Sequence, residues 1–229
     1  ISHIIKNVFE YSGPPLRIEV ESSLFSAAGM GSSAALSNAF GAALHCLLNP
    51  EEPLDPISMA RLAHSAEASA QKGRASPTDT ATSALGGCVV VSDSQVPGTR
   101  HVFDTSLTTP EGNRDWTINV IDIPAGIEDA RLVIGFSGKG SPTGRMVARV
   151  AKLISESPER IEDMEAISNI TKAGLTALSA GNLEALGMAM NACHERLQNL
   201  EVSSPQLDRM VEAARPHSLG AKLTGAGGG

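Results

Sequence analysis

An α+β fold in two domains is predicted, and three observations predict it. A strand pattern, Leu16-Arg17-Ile18-Glu19-Val20-Glu21, runs through a glycine turn into a long helix pattern that opens at Ser32 or Ser33. A second strand, residues 88–91, is entered through Gly86 and Gly87 and is apolar enough to be buried. From Arg145 onward helix patterns dominate. The character of the chain changes around Gly126-Ile127-Glu128. The boundary is therefore placed near residue 128, with an N-terminal domain over 1–128 and a C-terminal domain over 129–229.

Residues 1–9 read as the end of a helix. The helix over 32–48 rests on Ala34, Ala35, Ala39, Ala42, Ala43 and Leu44, strong helix formers in one run. Asn49-Pro50-Glu51-Glu52-Pro53 is a loop. Asp55 caps a second helix with Pro56 in its first position. That helix carries Ile57, Ala60, Ala63 and Ala70 at helical spacing and is expected to end near Gly73. Ser76-Pro77-Thr78-Asp79-Thr80 is a short rigid turn, after which Asp79 would cap a helix over 80–85. Residues 93–115 are turn-rich and polar, and strands are expected over 117–123 and 131–136, with a loop over 138–144. Asn182 caps a helix whose apolar positions 183, 186, 190, 193, 197 and 200 form one stripe. Pro205 opens the next, with Leu207, Met210, Val211 and Ala214 expected inward, and Pro216 stops it.

Composition bounds the function. The chain has 229 residues, is 41% hydrophobic and carries a net charge of −7, ordinary values for a soluble globular protein. The acidic balance and the lack of any lysine/arginine cluster argue against a nucleic-acid surface. No apolar run reaches membrane-spanning length and no signal-peptide pattern opens the chain. Cys46, Cys88 and Cys193 are too few and too scattered for a disulfide framework or a zinc site, and they are read as reduced, buried small hydrophobes. A cytoplasmic protein without nucleic-acid or membrane partners is expected. The chain starts at Ile1 and stops within a glycine run, and it is read as an internal piece of a longer one. The sequence leaves a homodimer open.

The chemistry concentrates at four places. In Phe25-Ser26-Ala27-Ala28-Gly29-Met30-Gly31-Ser32-Ser33-Ala34, glycines bare the backbone just where a helix begins. The first helical N–H groups lack intrahelical partners and carry the positive end of the dipole, so such a turn suits an anion, with a serine hydroxyl for a phosphate or its metal. An ordinary tight turn with a serine cap is the other reading. The stretch is neither G-x-x-x-x-G-K-[ST] nor G-x-G-x-x-G, because no lysine follows and Ala34 stands where the third glycine would be. Glu67 lies on the inward stripe of the helix over 56–72, flanked by His64 and Gln71. A carboxylate buried there needs a partner, either an ion pair or a hard cation, which takes oxygen ligands; a drift of the stripe toward the helix surface is the other reading. Asp79 is a helix cap or a base for a hydroxyl proton. Residues 225–229 form a second glycine-rich loop. Two such loops with acids between them favour phosphoryl transfer over phosphate storage.

These motifs resemble those of the GHMP kinases, which include galactokinase, homoserine kinase, mevalonate kinase and phosphomevalonate kinase. "AAGMGSSAAL" resembles their central Pro-x-x-Gly-Leu-Gly-Ser-Ser-Ala-Ala motif, and "KLTGAGGG" their C-terminal motif. "AEASAQKGRASPTDTATSALGG" is similar to a segment of the archaeal mevalonate kinases. Ala27 and Met30 stand where the family often has proline and leucine, and Lys72 adds a residue before Gly73. The resemblance implies an N-terminal domain like a ribosomal-protein fold and a ferredoxin-like C-terminal domain. It also implies family segments before Ile1 and after Gly229. It implies ATP over Ala27, Ala28, Gly29, Met30, Gly31, Ser32, Ser33 and Ala34, and Mg²⁺ on Ser33 or Ser32 and Glu67. Asp79 would be the general base. A loop of Thr224, Gly225, Ala226, Gly227, Gly228 and Gly229 would close on phosphate and substrate, with Gly140, Ser141 and Thr143 near the substrate. The expected reaction is phosphorylation of the 5-hydroxyl of mevalonate by ATP. Homoserine kinase, phosphomevalonate kinase and a non-catalytic nucleotide-binding module are the alternatives.

Overall fold

The computed structural model describes residues 1–24, 29–109, 112–141 and 143–228. Its elements run in the order α1 (Ser32–Leu48), α2 (Pro56–Ala70), α3 (Thr78–Leu85), β1 (Cys88–Ser92), β2 (Arg100–Thr109), β3 (Gly112–Ile121), α4 (Thr143–Glu156), α5 (Ile161–Ser179), α6 (Leu183–Asn199) and α7 (Pro205–Ala214). Helices with one small sheet make the protein α+β. Contacts divide it into two compact units. One holds the N-terminal stretch and Gly31–Asp122. The other holds the chain from Ile123 onward together with Gly29 and Met30.

In the first unit α2 is the central element. Its Met59, Leu62 and Ala66 pack with Ile4 and Leu44. Its Ala60 packs with Ala81 of α3 and with Phe103 and Ile118 of the sheet. Two apolar faces on one short helix explain why its residues are so small: alanine lets α1, α3 and the sheet all approach it. Asp55 caps α2 as expected, accepting from the amides of Ile57 and Ser58. The sheet has the order β1-β3-β2, all antiparallel.

Two expected strands do not form. Residues 16–21 and 131–136 join no ladder among the described residues. Alternation sets which side chains can share a face, but a strand exists only when its N–H and C=O groups meet a neighbour's. Leu132 and Val133 stand 87% and 90% exposed. Conversely, the stretch read as turn-rich polar, 93–115, contains β2 and the start of β3. Most of β2 is polar on both faces and only Phe103 is buried, so the period-two signal is faint. Residues 1–9 hold a π-helical turn, Ile4–Val8.

The second unit has a core of Met146, Val202, Leu207 and Leu223. Asn182 caps α6, accepting from the Ala185 amide, and Ser204 caps α7 ahead of Pro205. Leu207 and Val211 are buried as expected, whereas Ala214 is exposed. Along α6, Gly187 lies under the backbone of Leu219 and Gly220. A Cβ on Gly187 would come 2.2 Å from the Leu219 carbonyl oxygen, and one on Gly220 2.1 Å from that of Gly187. The three cysteines are free, but none is fully buried: Cys46 is exposed and the others are half-buried. Among the described residues no helix is long and apolar enough to cross a membrane.

Candidate active site

In the first unit the helix start and the acids come together. Gly31 is the N-cap of α1 in the left-handed region, φ +64°, where a glycine costs no strain. The expectation of a serine cap is thus corrected: Ser32 is the first helical residue, and Gly31 takes the cap because it alone fits that backbone. The amides of residues 31–34 have no intrahelical partners. Asp79 lies over this end, since a Cβ built on Gly31 would be 3.5 Å from Asp79 Cβ and 3.8 Å from its Oδ2. Ser33 is exposed, Ser32 half-buried and Ala34 buried.

Asp79 is not the cap of α3 either. The helix begins two residues earlier than expected, at Thr78, with Pro77 as N-cap, so Asp79 sits in the first turn with its carboxylate free of capping duty. The turn before it is fixed from several sides. Pro77 is fully buried, and the Ser76 hydroxyl meets that of Thr78 at 2.7 Å. Thr80 Oγ1 donates to the Pro77 carbonyl. His64 Nε2 donates to the Ala75 carbonyl at 3.1 Å, with the ring edge-on to Trp116. Asn38 Nδ2 donates to the carbonyls of Ala34 and Thr80, at 3.2 and 3.0 Å. Asp79 is thereby bracketed by residues 75 and 80, each tied to a different helix.

The electrostatics follow. Neighbouring protein strips water from part of the Asp79 carboxyl, and the Glu67 charge adds repulsion. Both push its pKa above the ordinary 3.8. Burial lowers the His64 pKa below the ordinary 6.5, against smaller opposing effects of its Ala75 bond and Glu67, so the ring that donates to the Ala75 carbonyl is held toward its neutral form. Glu67 is half-buried and accepts from Gln71 Nε2 at 2.7 Å. Gln71, one of the two residues expected beside it, is thus its hydrogen-bond partner. Among the described residues no group of three or more His, Cys, Asp or Glu is placed to hold a metal.

In the second unit, Gly29 packs against the C-terminal loop: a Cβ on Gly225 would be 3.2 Å from Gly29 Cα. Gly228 lies beside Ser141 and Met146. Met30 belongs to the same unit, and Thr143 is exposed at the start of α4. Ala27, Ala28 and Gly229 lie outside the described residues.

Two models of one family match the chain. "GHMP kinases N terminal domain" matches residues 1–87 and "GHMP kinases C terminal" residues 175–229. The chain belongs to the GHMP kinase family. Among its GHMP relatives, the mevalonate kinase of Methanothermobacter thermautotrophicus is 34% identical over 221 residues, covering 96% of this chain and 64% of its own length. The mevalonate kinase of Pyrococcus furiosus is 30% identical, covering 93% and 58%. The chain thus spans about three fifths of the length of these relatives. A crystal structure of L. major mevalonate kinase in complex with R-mevalonate matches with a TM-score of 0.66 at 26% identity, over 90% of this chain and 56% of that one. The Methanococcus jannaschii enzyme matches at 0.58 and 27%, over 91% and 57%.

Asn38 is a residue that sequence reasoning missed. Its signal was a polar side chain one turn after Ala34 on the buried side of α1, 8% exposed. Asn38→Ala is expected to lower stability by about 1–2 kcal/mol, the value of a buried hydrogen bond lost. Thermal unfolding checks it, and an unchanged melting temperature would mean that the α1–α3 tie is inconsequential.

Proposed function

We propose that this GHMP kinase chain works as a mevalonate kinase, moving the γ-phosphoryl group of ATP to the 5-hydroxyl of mevalonate. The observation that supports it most is Asp79 over the unpartnered amides of α1, within reach of the Glu67 charge. The names of the relatives supply the substrate. In this reading the amides of residues 31–34 receive phosphate oxygens, as helix starts do. The mevalonate oxygen bonds to the γ-phosphorus as the bond from that phosphorus to the bridging oxygen breaks, and ADP leaves. The hydroxyl proton passes to the Asp79 carboxylate. A base whose pKa is raised toward the working pH accepts such a proton more readily. Because the transition state is loose, positioning and charge neutralisation do most of the work.

The residues also fit Mg²⁺. The hydroxyls of Ser32 and Ser33 and the carboxylate of Glu67 are oxygen donors near phosphate-binding amides, and a magnesium ion kept largely by phosphates and water needs few protein ligands. Bound there, it would neutralise charge on the phosphates. Glu67 would hold it, and Asp79, repelled by Glu67 in its absence, would remain ionised. In the second unit, the amides of residues 224–227, with Ser141 and Thr143, form the other anion-binding loop of this reading.

A coupled assay of ADP release with mevalonate, homoserine, galactose and phosphomevalonate tests the assignment. The highest kcat/KM is expected for mevalonate. A higher value for homoserine or phosphomevalonate overturns it.

A further inference from the structure

The loop of residues 224–228 is held by one face of α6. Residues 187, 191 and 194 follow each other at helical spacing along that face. Gly187 makes the close backbone crossing with residues 219 and 220. Asn191 Oδ1 accepts from the Ala221 amide at 3.0 Å, and His194 Nδ1 accepts from the Leu223 amide at 3.3 Å. Alternate amides of the tail thus bond to successive turns of the helix, and the last tie sits immediately before Thr224. At the far end the Gly228 amide donates to the Val202 carbonyl at 2.8 Å. The His194 ring is almost fully buried, 2% exposed.

We propose that His194 is the positioning residue of this loop, and that it holds the loop only while its Nδ1 carries no proton. A ring nitrogen accepts from an amide only through its lone pair. With Nδ1 accepting, the single proton of the neutral ring is on Nε2, which faces Asp208 Oδ1 of α7 at 3.3 Å, close but poorly aligned as a hydrogen bond. A second proton would land on Nδ1 and set N–H against N–H at Leu223. The tail would then lose its anchor at the point where the loop begins.

The groups around the ring decide when this happens. Burial lowers the His194 pKa, Asp208 opposes, and the charges of Arg215 and Lys222 lower it further. Asp208 stays ionised: burial would raise its pKa, but hydrogen bonds from Ser203 and Gln198 and the His194 ring outweigh that. With the held-state pKa below the ordinary histidine value of 6.5, the anchor is complete above that value and is lost as pH falls through the lowered one. Asn191 does not titrate, so its tie persists, and release is confined to the segment from Leu223 onward.

The proposal rests on the kinase reading only for its effect on turnover, so its test includes a readout that needs no activity. Amide hydrogen exchange at residues 223–228 is followed in the full natural chain at about pH 7.5 and pH 5, corrected for intrinsic exchange. Wild type is expected to lose protection as the pH falls through the lowered His194 value, by about tenfold for each further pH unit, the change in neutral fraction below a titrating group's pKa. His194→Asn places an amide oxygen near the Nδ1 position; it is expected to keep protection at both values and to lose the pH dependence. His194→Phe is expected to leave the loop unprotected at both. In assays with ATP and mevalonate, the acid limb of kcat should shift in the asparagine variant while KM stays similar. Equal acid sensitivity of wild type and His194→Asn overturns the proposal, and so does wild-type protection that is flat with pH. Should the phenylalanine variant not fold, the other two chains still decide. If wild type turns over no mevalonate yet shows the exchange pattern, the kinase reading fails and the anchor stands.

Discussion

Asp79→Asn is expected to slow the chemical step about 10²–10⁴-fold, the usual range for a lost acid–base group, while ATP affinity stays within a few-fold. The two effects separate because the triphosphate rests, in our reading, on amides of residues 31–34, whereas Asp79 meets the hydroxyl. Single-turnover kinetics resolves them. The same substitution is expected to raise the melting temperature at neutral pH. Asp79 has its pKa raised in the folded chain by partial loss of hydration and by Glu67. Its ionised form therefore costs stability above that raised value, and the cost disappears as pH falls past 3.8. Asparagine removes the cost, so the gain in melting temperature should fade toward acid pH. An acid held at an energetic disadvantage for its charge is what a functional site requires and a helix cap does not. Near wild-type turnover in Asp79→Asn would return it to a structural role.

Glu67→Gln is expected to lower kcat by orders of magnitude at fixed Mg²⁺, with stability unchanged or slightly higher. The substitution preserves shape and removes the repulsion felt by Asp79. The hydrogen bond from Gln71 survives through the new amide oxygen. A ligand and a structural ion pair respond differently to added magnesium: excess Mg²⁺ should restore part of the rate only if Glu67 binds the ion. Unfolding of the variant with normal residual kcat would instead make Glu67 a support of the fold.

What the sequence showed and what it hid divide along physical lines. α1, α2, α6 and α7 were legible because caps and periodicity are local: Asp55 before Pro56, Asn182 before Leu183 and Pro205 after Ser204 act within a few residues. The ribbon of β2 and β3 was not, since a strand polar on both faces carries no alternation. Residues 16–21 and 131–136 show the reverse, a correct local pattern without a partner to complete it. At the site, Gly31, Glu67 and Asp79 were identifiable one by one. Their convergence came only from the family resemblance and not from local pattern, because it depends on α1, α2 and α3 packing through alanines and through Asn38. His194 left no trace in any motif; its partner amide lies 29 residues further along the chain.

The crossing of Gly187 under residues 219 and 220 has a consequence for how this sequence can drift over generations. Neither glycine can gain even a methyl group unless the two backbones part, and neither can be rescued by shrinking the other, which is already the smallest residue. Variation at these two positions therefore has no single-step or paired route. The tail that leads into residues 224–228 is inherited in a fixed register against α6, while the exposed side chains on either side, such as Met188 and Leu219, remain free to change.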